Sequence, residues 1–200
     1  MRGARERAER LAKAALVALF VGLDLDAAAR DRIARIIDAL RALGVAGRFE
    51  RIEKLHVTIA YLGNVQRERF DEIAADLETA AAQCAPFALS LDRLGAFPDQ
   101  RNPRLLWLGS TNASAPFDSC ARAVREAYAR RGFSFDKPAL PHVTVCRSRR
   151  PFRRLPSVEV GAPIEVVARE LALFESLPAE GTTRYAVRLR APLGRREPNP

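Results

Sequence analysis

Two hundred residues suit one domain, or two small lobes sharing a core. With 48% hydrophobic and 28% charged residues, the composition excludes wholesale disorder. The formal charge of +9 favours a polyanionic partner. Only Lys13, Lys54 and Lys137 are lysines, however, so an arginine- and alanine-rich composition accounts for part of that excess.

In chain order, Arg2 to Lys13 is basic and Ala14 to Leu23 is uncharged, a sequence similar to the start of an export leader. Glu6 and Glu9 interrupt the basic stretch, Asp24 and Asp26 follow at once, and the run is too short to span a bilayer. We therefore expect a basic extension over 1–13, one domain over 14–193, a disordered tail over 194–200, and no membrane association. Three cysteines (Cys84, Cys120 and Cys146) in no paired spacing point to a reducing cytoplasm rather than to a disulfide framework.

Leu16 to Leu25 reads as a strand, after which Asp26 can cap a helix carrying Ile33, Ile36, Ile37, Leu40 and Leu43 at helical spacing and ending at Gly44. Leu55 to Leu62 is a second strand, closed by Gly63-Asn64. A helix from Gln66 to Gln83 presents Phe70, Ile73 and Leu77. Phe87 to Leu94 alternates like a strand, broken by Gly95-Ala96-Phe97-Pro98. A polar loop over Asp99 to Arg104 leads to the strand Leu105 to Leu108. Pro116 sits in the first turn of a helix reaching Arg131, with Gly132 as its cap. The strand His142 to Cys146, an arginine-rich loop, and strands near Ile164–Leu177 and Thr183–Leu189 complete the reading.

A strand, a helix and a histidine-bearing strand thus occur twice, with Phe20 and Leu106 each 36 residues before a histidine. The only two histidines begin the same pattern, His56-Val57-Thr58-Ile59 and His142-Val143-Thr144-Val145. Threonine occurs six times in 200 residues, so its recurrence two places after both histidines is not what composition alone supplies. In a strand, i and i+2 share a face, so His56 and Thr58, like His142 and Thr144, point one way while the aliphatic residues bury the other. Two such strands side by side offer two imidazoles for general acid and base work and two hydroxyls for the non-bridging oxygens of a phosphate. A zinc site is the rival reading, because strand parity puts Cys146 on the face of His142. Against it, Ala60 holds the matching place in the first motif, and neither HExxH nor a carboxylate cluster is present.

These motifs resemble the two H-x-[ST]-hydrophobic signatures of the 2H phosphoesterase superfamily. Within it, LFVGLDL, KLHVTIAYLGNV, LGAFPDQRNPRLLWLG, PHVTVCR and LALFESLPAEGTTRYAVRL resemble, in order, the bacterial and archaeal RNA 2′,3′-cyclic phosphodiesterases, also called LigT-like 2′-5′ RNA ligases. The resemblance implies a bilobal, pseudo-symmetric α+β fold, with two antiparallel sheets lining a central cleft and helices outside. It also implies hydrolysis of RNA 2′,3′-cyclic ends, or of small cyclic nucleotides, to 2′-phosphomonoesters without metal or other cofactor. His56 would protonate the departing 3′ oxygen, His142 would activate water, and Thr58 and Thr144 would hold the phosphate. Arg147 is a further candidate phosphate contact, but strand parity places it opposite His142, so a bend or bulge after Cys146 is required. Lys54 departs from the small polar residue common before Leu-His. The run Arg147, Arg149, Arg150, Arg153 and Arg154 offers a path for an RNA backbone or simply a solvated loop. Trp107 and Tyr61 are expected in the core rather than as stacking platforms. Reversible 2′-5′ joining at the same site and non-catalytic RNA binding are the competing readings. A cytoplasmic monomer with no obligate protein partner completes the expectation.

Overall fold

The computed structural model describes residues 16–99, 101–112, 114–153 and 156–194. The basic extension over 1–13 and residues 195–200 lie outside the described residues. Gly194, expected in a disordered tail, instead donates its N–H to the Cys84 carbonyl at 2.7 Å.

Among the described residues, ten strands and three α-helices form an α+β fold. β1 (Leu16–Asp24), β3 (His56–Gln66), β9 (Glu170–Ala179) and β10 (Thr182–Pro192) make one four-stranded antiparallel half. β2 (Arg48–Phe49), β5 (Arg93–Phe97), β6 (Leu105–Gly109) and β7 (His142–Arg147) make the other. The halves are continuous, in the order β10-β9-β1-β3-β7-β6-β5, but β3 and β7 pair only through Val57 and Val143. The two expected sheets are therefore joined edge to edge at one residue pair. β4 (Phe87–Leu91) and β8 (Ile164–Ala168) form a separate two-stranded sheet. The sequence run from Phe87 to Leu94 thus holds parts of two strands, and the run from Ile164 to Leu177 is likewise divided.

Side-chain alternation gives the large sheet two unlike faces. Leu19 and Val21 enter the main core, which also takes Val57, Ile59, Val143 and Val145. Phe20, Ala172 and Phe174, with Tyr185 beside them, form a small cluster of their own. Helix α1 (Ala27–Ala42) starts at Asp26, whose carboxylate accepts the Ala29 N–H at 2.7 Å, and buries Ile33, Ile36, Ile37 and Leu40. Leu43, also at helical spacing, falls on the helix cap and is exposed. Helix α2 (Phe70–Ala82) comes after a 3₁₀ turn over Arg67–Arg69, and α3 (Ala115–Ala129) is capped by Ser114. The helix after β1 packs against β7, and the helix after β6 packs against β3, so each half is backed by the other's helix. No helix among the described residues is long and apolar enough to cross a membrane.

Gly63-Asn64 do not end the second strand. Leu19 pairs with Gly63 and Phe20 with Tyr61, so Leu62 is an extra residue in a bulge. Gly63, with φ of 72°, takes the left-handed conformation there at no steric cost. Gly95, Ala96 and Phe97 likewise belong to β5 instead of breaking it. A Cβ at Gly95 or Gly109 would collide with the Trp107 indole, so these glycines make room for the ring, which is buried as expected. Tyr61 reverses its expectation and is 65% exposed.

Candidate active site

The two histidine motifs lie on adjacent antiparallel strands. Continuing the Val57–Val143 register by one residue each way sets His56 opposite Thr144 and Thr58 opposite His142. Both motifs have the same burial sequence. His56 and Thr58 are half-buried, Val57, Ile59 and Ala60 are buried, and Tyr61 is exposed; His142 to Arg147 repeats this residue for residue.

The repeat includes a bulge. Val21 pairs with Ala60 and Gly22 with Thr58, so Ile59 is the extra residue; Leu106 pairs with Cys146 and Trp107 with Thr144, so Val145 is. Each bulge reverses the parity of the residues beyond it. The bend required after the second motif is therefore present, although it falls at Val145, just before Cys146 rather than after it. Arg147 lines the same cavity as Thr58 and His142. The same reversal overturns the expectation for Cys146, whose thiol is buried in the core beside Gly47 and is pushed up to about 11 mainly by desolvation. A His–His–Cys donor set is not assembled. The register also makes Leu105 the counterpart of Phe20, because each pairs with the residue five after its histidine; the 36-residue match to Leu106 is one residue off.

Each imidazole is anchored by its own chain. His56 Nδ1 lies 2.7 Å from the Lys54 carbonyl oxygen, and His142 Nδ1 lies 2.9 Å from that of Leu140. A carbonyl only accepts, so both Nδ1 atoms carry the proton and both Nε2 atoms present a lone pair when neutral. His56 Nε2 accepts from the Thr58 hydroxyl at 2.9 Å. Phe20 and Tyr185 pack on His56 at 4.8 and 5.3 Å between ring centroids, while Phe97 and Trp107 flank His142 at 5.1 and 6.1 Å. Burial among these rings lowers His56 to about 4, opposed by the Lys54 carbonyl and Glu50. His142 is also lowered by burial, opposed by the Leu140 carbonyl, and Arg147 adds to the lowering of both. Burial thus favours the neutral form of both rings. An anion close to either ring would oppose that lowering.

The cavity holding Thr58, His142 and Arg147 has a volume of about 770 Å³. Arg104, Arg125 and Lys137 also line it, so four cations and, among the described residues, no carboxylate face its interior. That is a setting for an anion.

Three residues that the motifs did not reveal hold the site together. Glu50, 11% exposed on its side chain, accepts from Arg147 Nε at 2.9 Å and lies 3.5 Å from Lys54 Nζ. Its own N–H donates to the Val145 carbonyl at 3.0 Å. Lys54 itself, noted in the sequence only as a departure, is 5% exposed; it donates to Thr183 Oγ1 and lies over the Tyr185 ring. Arg125 donates from Nε to the Ile59 carbonyl at 2.8 Å and from a terminal nitrogen to the Lys137 carbonyl. The carbonyl three residues after each histidine is thus held by a donor from outside the motifs. Only the i, i+4 spacing of Glu50 and Lys54 signalled any of this in the sequence.

Comparison with known proteins agrees with this construction. Residues 23–107 match the family model described as LigT like Phosphoesterase. The chain is 30% identical, over 73% of its length and 84% of the relative's, to the RNA 2′,3′-cyclic phosphodiesterase of Methanothermobacter thermautotrophicus. It is 31% identical to that of Escherichia coli, over 84% and 91% of the two chains. The crystal structure of E. coli LigT complexed with 3′-AMP superposes with a TM-score of 0.77 at 28% identity, covering 89% of this chain and 98% of that one. The chain belongs to the LigT-like phosphoesterase family.

Proposed function

We propose that this protein hydrolyses the 2′,3′-cyclic phosphate at RNA ends to a 2′-phosphomonoester, using His56 and His142 and no metal. The observation that carries the reading is the pair of Nδ1-anchored imidazoles, each set opposite the other motif's threonine across the Val57–Val143 pair. The relatives named for this activity support it.

In this mechanism the cyclic phosphate lies at the edge of the cationic cavity, whose lining includes Thr58, His142 and Arg147 but not His56 or Thr144, with Thr58, Thr144 and Arg147 donating to its non-bridging oxygens. His142 Nε2 takes a proton from water as the water oxygen bonds to phosphorus. The P–O3′ bond breaks, and protonated His56 delivers its Nε2 proton to the departing 3′ oxygen. The Thr58 hydroxyl, which donates to His56 Nε2 without substrate, is released by that protonation to donate to the phosphate. Water is consumed, and a 2′-phosphate and a 3′-hydroxyl result. The three free cysteines fit a reducing cytoplasm, and we propose that the protein works there as a monomer.

Phosphorus NMR of a 2′,3′-cyclic nucleotide treated with the protein in excess EDTA tests the reading. The cyclic resonance is expected to give way to a 2′-monoester alone. Loss of turnover on chelation, or a 3′-monoester product, would sink it.

A further inference from the structure

The arginines at the mouth of the cavity are gathered rather than scattered. Segments 98–104 and 147–153, at the ends of β5, β6 and β7, contain six arginines and one acid, Asp99. The segments are stitched together by their backbones: Ser148 N–H donates to the Arg104 carbonyl and Phe152 N–H to that of Pro103, both at 2.8 Å. Arg101, Arg104, Arg149, Arg150 and Arg153 are exposed, and none has a carboxylate partner among the described residues; Arg147 alone is paired, to Glu50. Asp99 is turned back on its own loop, where it accepts the N–H groups of Arg101 and Asn102. Arg104, Arg147 and Ser148 also line the cavity, so the cationic surface begins inside the site and runs outward from it. A composition bias toward arginine explains the number of these residues but not their assembly on two stitched loops at one rim.

We propose that this rim is the track for single-stranded RNA lying 5′ of the cyclic end, so that the enzyme takes an RNA terminus in preference to a free cyclic mononucleotide. The proposal rests on the reaction given above. A 2′,3′-cyclic phosphate terminates a chain, and every preceding nucleotide adds a phosphodiester anion on the 5′ side. Guanidinium groups bind such anions through paired donors, and those without a carboxylate partner have no ion pair to break first. Held by backbone bonds, the two loops offer these groups side by side at the cavity mouth.

The test compares kcat/KM for a 2′,3′-cyclic mononucleotide and for a short single-stranded oligoribonucleotide with the same end, over a salt series. The oligomer is expected to be the better substrate by about tenfold or more at low salt, its advantage falling with a log–log slope near −0.7 per phosphate contacted. The combined substitution Arg149→Ala, Arg150→Ala, Arg153→Ala is expected to remove most of that advantage and flatten the slope. None of these three lines the cavity, so turnover of the mononucleotide reports that the variant is folded. Equal kcat/KM for the two substrates in the native protein overturns the proposal, as does an oligomer advantage that survives the substitutions. A native protein that turns over neither substrate overturns the reaction itself, a different failure from equal turnover of both.

Discussion

Val57 and Val143 face each other across the seam between the two halves, and no other residues of β3 and β7 pair. One step away on either side, a histidine of one motif meets a threonine of the other, so the proposed phosphate site draws on both halves. Two strands of like pattern come together because they meet at this one point.

Removing either imidazole is expected to lower kcat by about 10² or more, since general acid and base contributions are each of that size. His56→Ala and His142→Ala should each show this, and the double variant should be little worse than the poorer single one, because the pair acts as a unit. Steady-state kinetics on a cyclic nucleotide measures all three. Near-native turnover in either single variant would remove that histidine from the mechanism.

The buried imidazoles also link stability to pH. His56 has a folded-state value of about 4 against 6.5 when unfolded, so between these values the unfolded chain holds a proton that the native site does not. Stability is therefore fully present above pH 6.5 and is lost as pH falls toward 4, by at most about 3 kcal/mol for this one group. His142, lowered in the same direction, adds to the loss. Urea denaturation as a function of pH should show the decline, and His56→Phe, which cannot take up a proton, should make it shallower.

Glu50 distinguishes the two histidines electrostatically. Its carboxylate opposes the lowering of His56 and is not among the groups acting on His142. With His56 as the acid, Glu50→Gln is expected to move the alkaline limb of the kcat profile to lower pH, with a severalfold loss of kcat above the optimum. Glu50→Asp, which keeps the charge, should restore much of it. An unmoved alkaline limb would mean that Glu50 only holds Lys54 and Arg147 in place.

Much of this site was legible because strand periodicity is simple. His56, Thr58, His142 and Thr144 lie where alternation puts them, and Val57, Ile59, Val143 and Val145 are buried behind. Parity failed after the fourth residue of each motif, at the bulges at Ile59 and Val145. A bulge depends on the neighbouring strand as much as on its own residues, so it left no local mark, and Cys146 and Tyr61 were assigned to the wrong surroundings. Glu50 and Arg125 were hidden for a related reason. Each acts on a carbonyl far away in sequence, Arg125 at a separation of 66 residues, and no spacing rule reaches that far.

The close approach of β1 to β3 should tolerate no added methyl group. A Cβ at Gly22 would fall inside the contact distance of the Val57 carbonyl oxygen, with Thr58 behind it. Gly22→Ala must therefore push β3 away from β1 at the point where the two halves join, an overpacking cost of about 1–3 kcal/mol. Denaturant unfolding measures the loss, and kcat should fall with it, because the displaced carbonyl belongs to the residue between His56 and Thr58.

Arg125 is expected to matter through geometry more than charge. Its guanidinium spans two carbonyls, that of Ile59 in the first motif and that of Lys137 in the segment leading to His142. That segment includes Leu140, whose carbonyl orients His142. A lysine in its place keeps the positive charge but has a single nitrogen on a flexible stem, which cannot hold both acceptors in one plane. Arg125→Lys is therefore expected to lower kcat by about tenfold through misplacement of the base. KM should change little if the guanidinium is a strut, because Arg104, Lys137 and Arg147 still line the cavity. If Arg125 instead binds phosphate through its charge, the lysine variant should keep most of its kcat, and Arg125→Met should raise KM sharply. Measuring kcat and KM separately for both variants decides between the two roles.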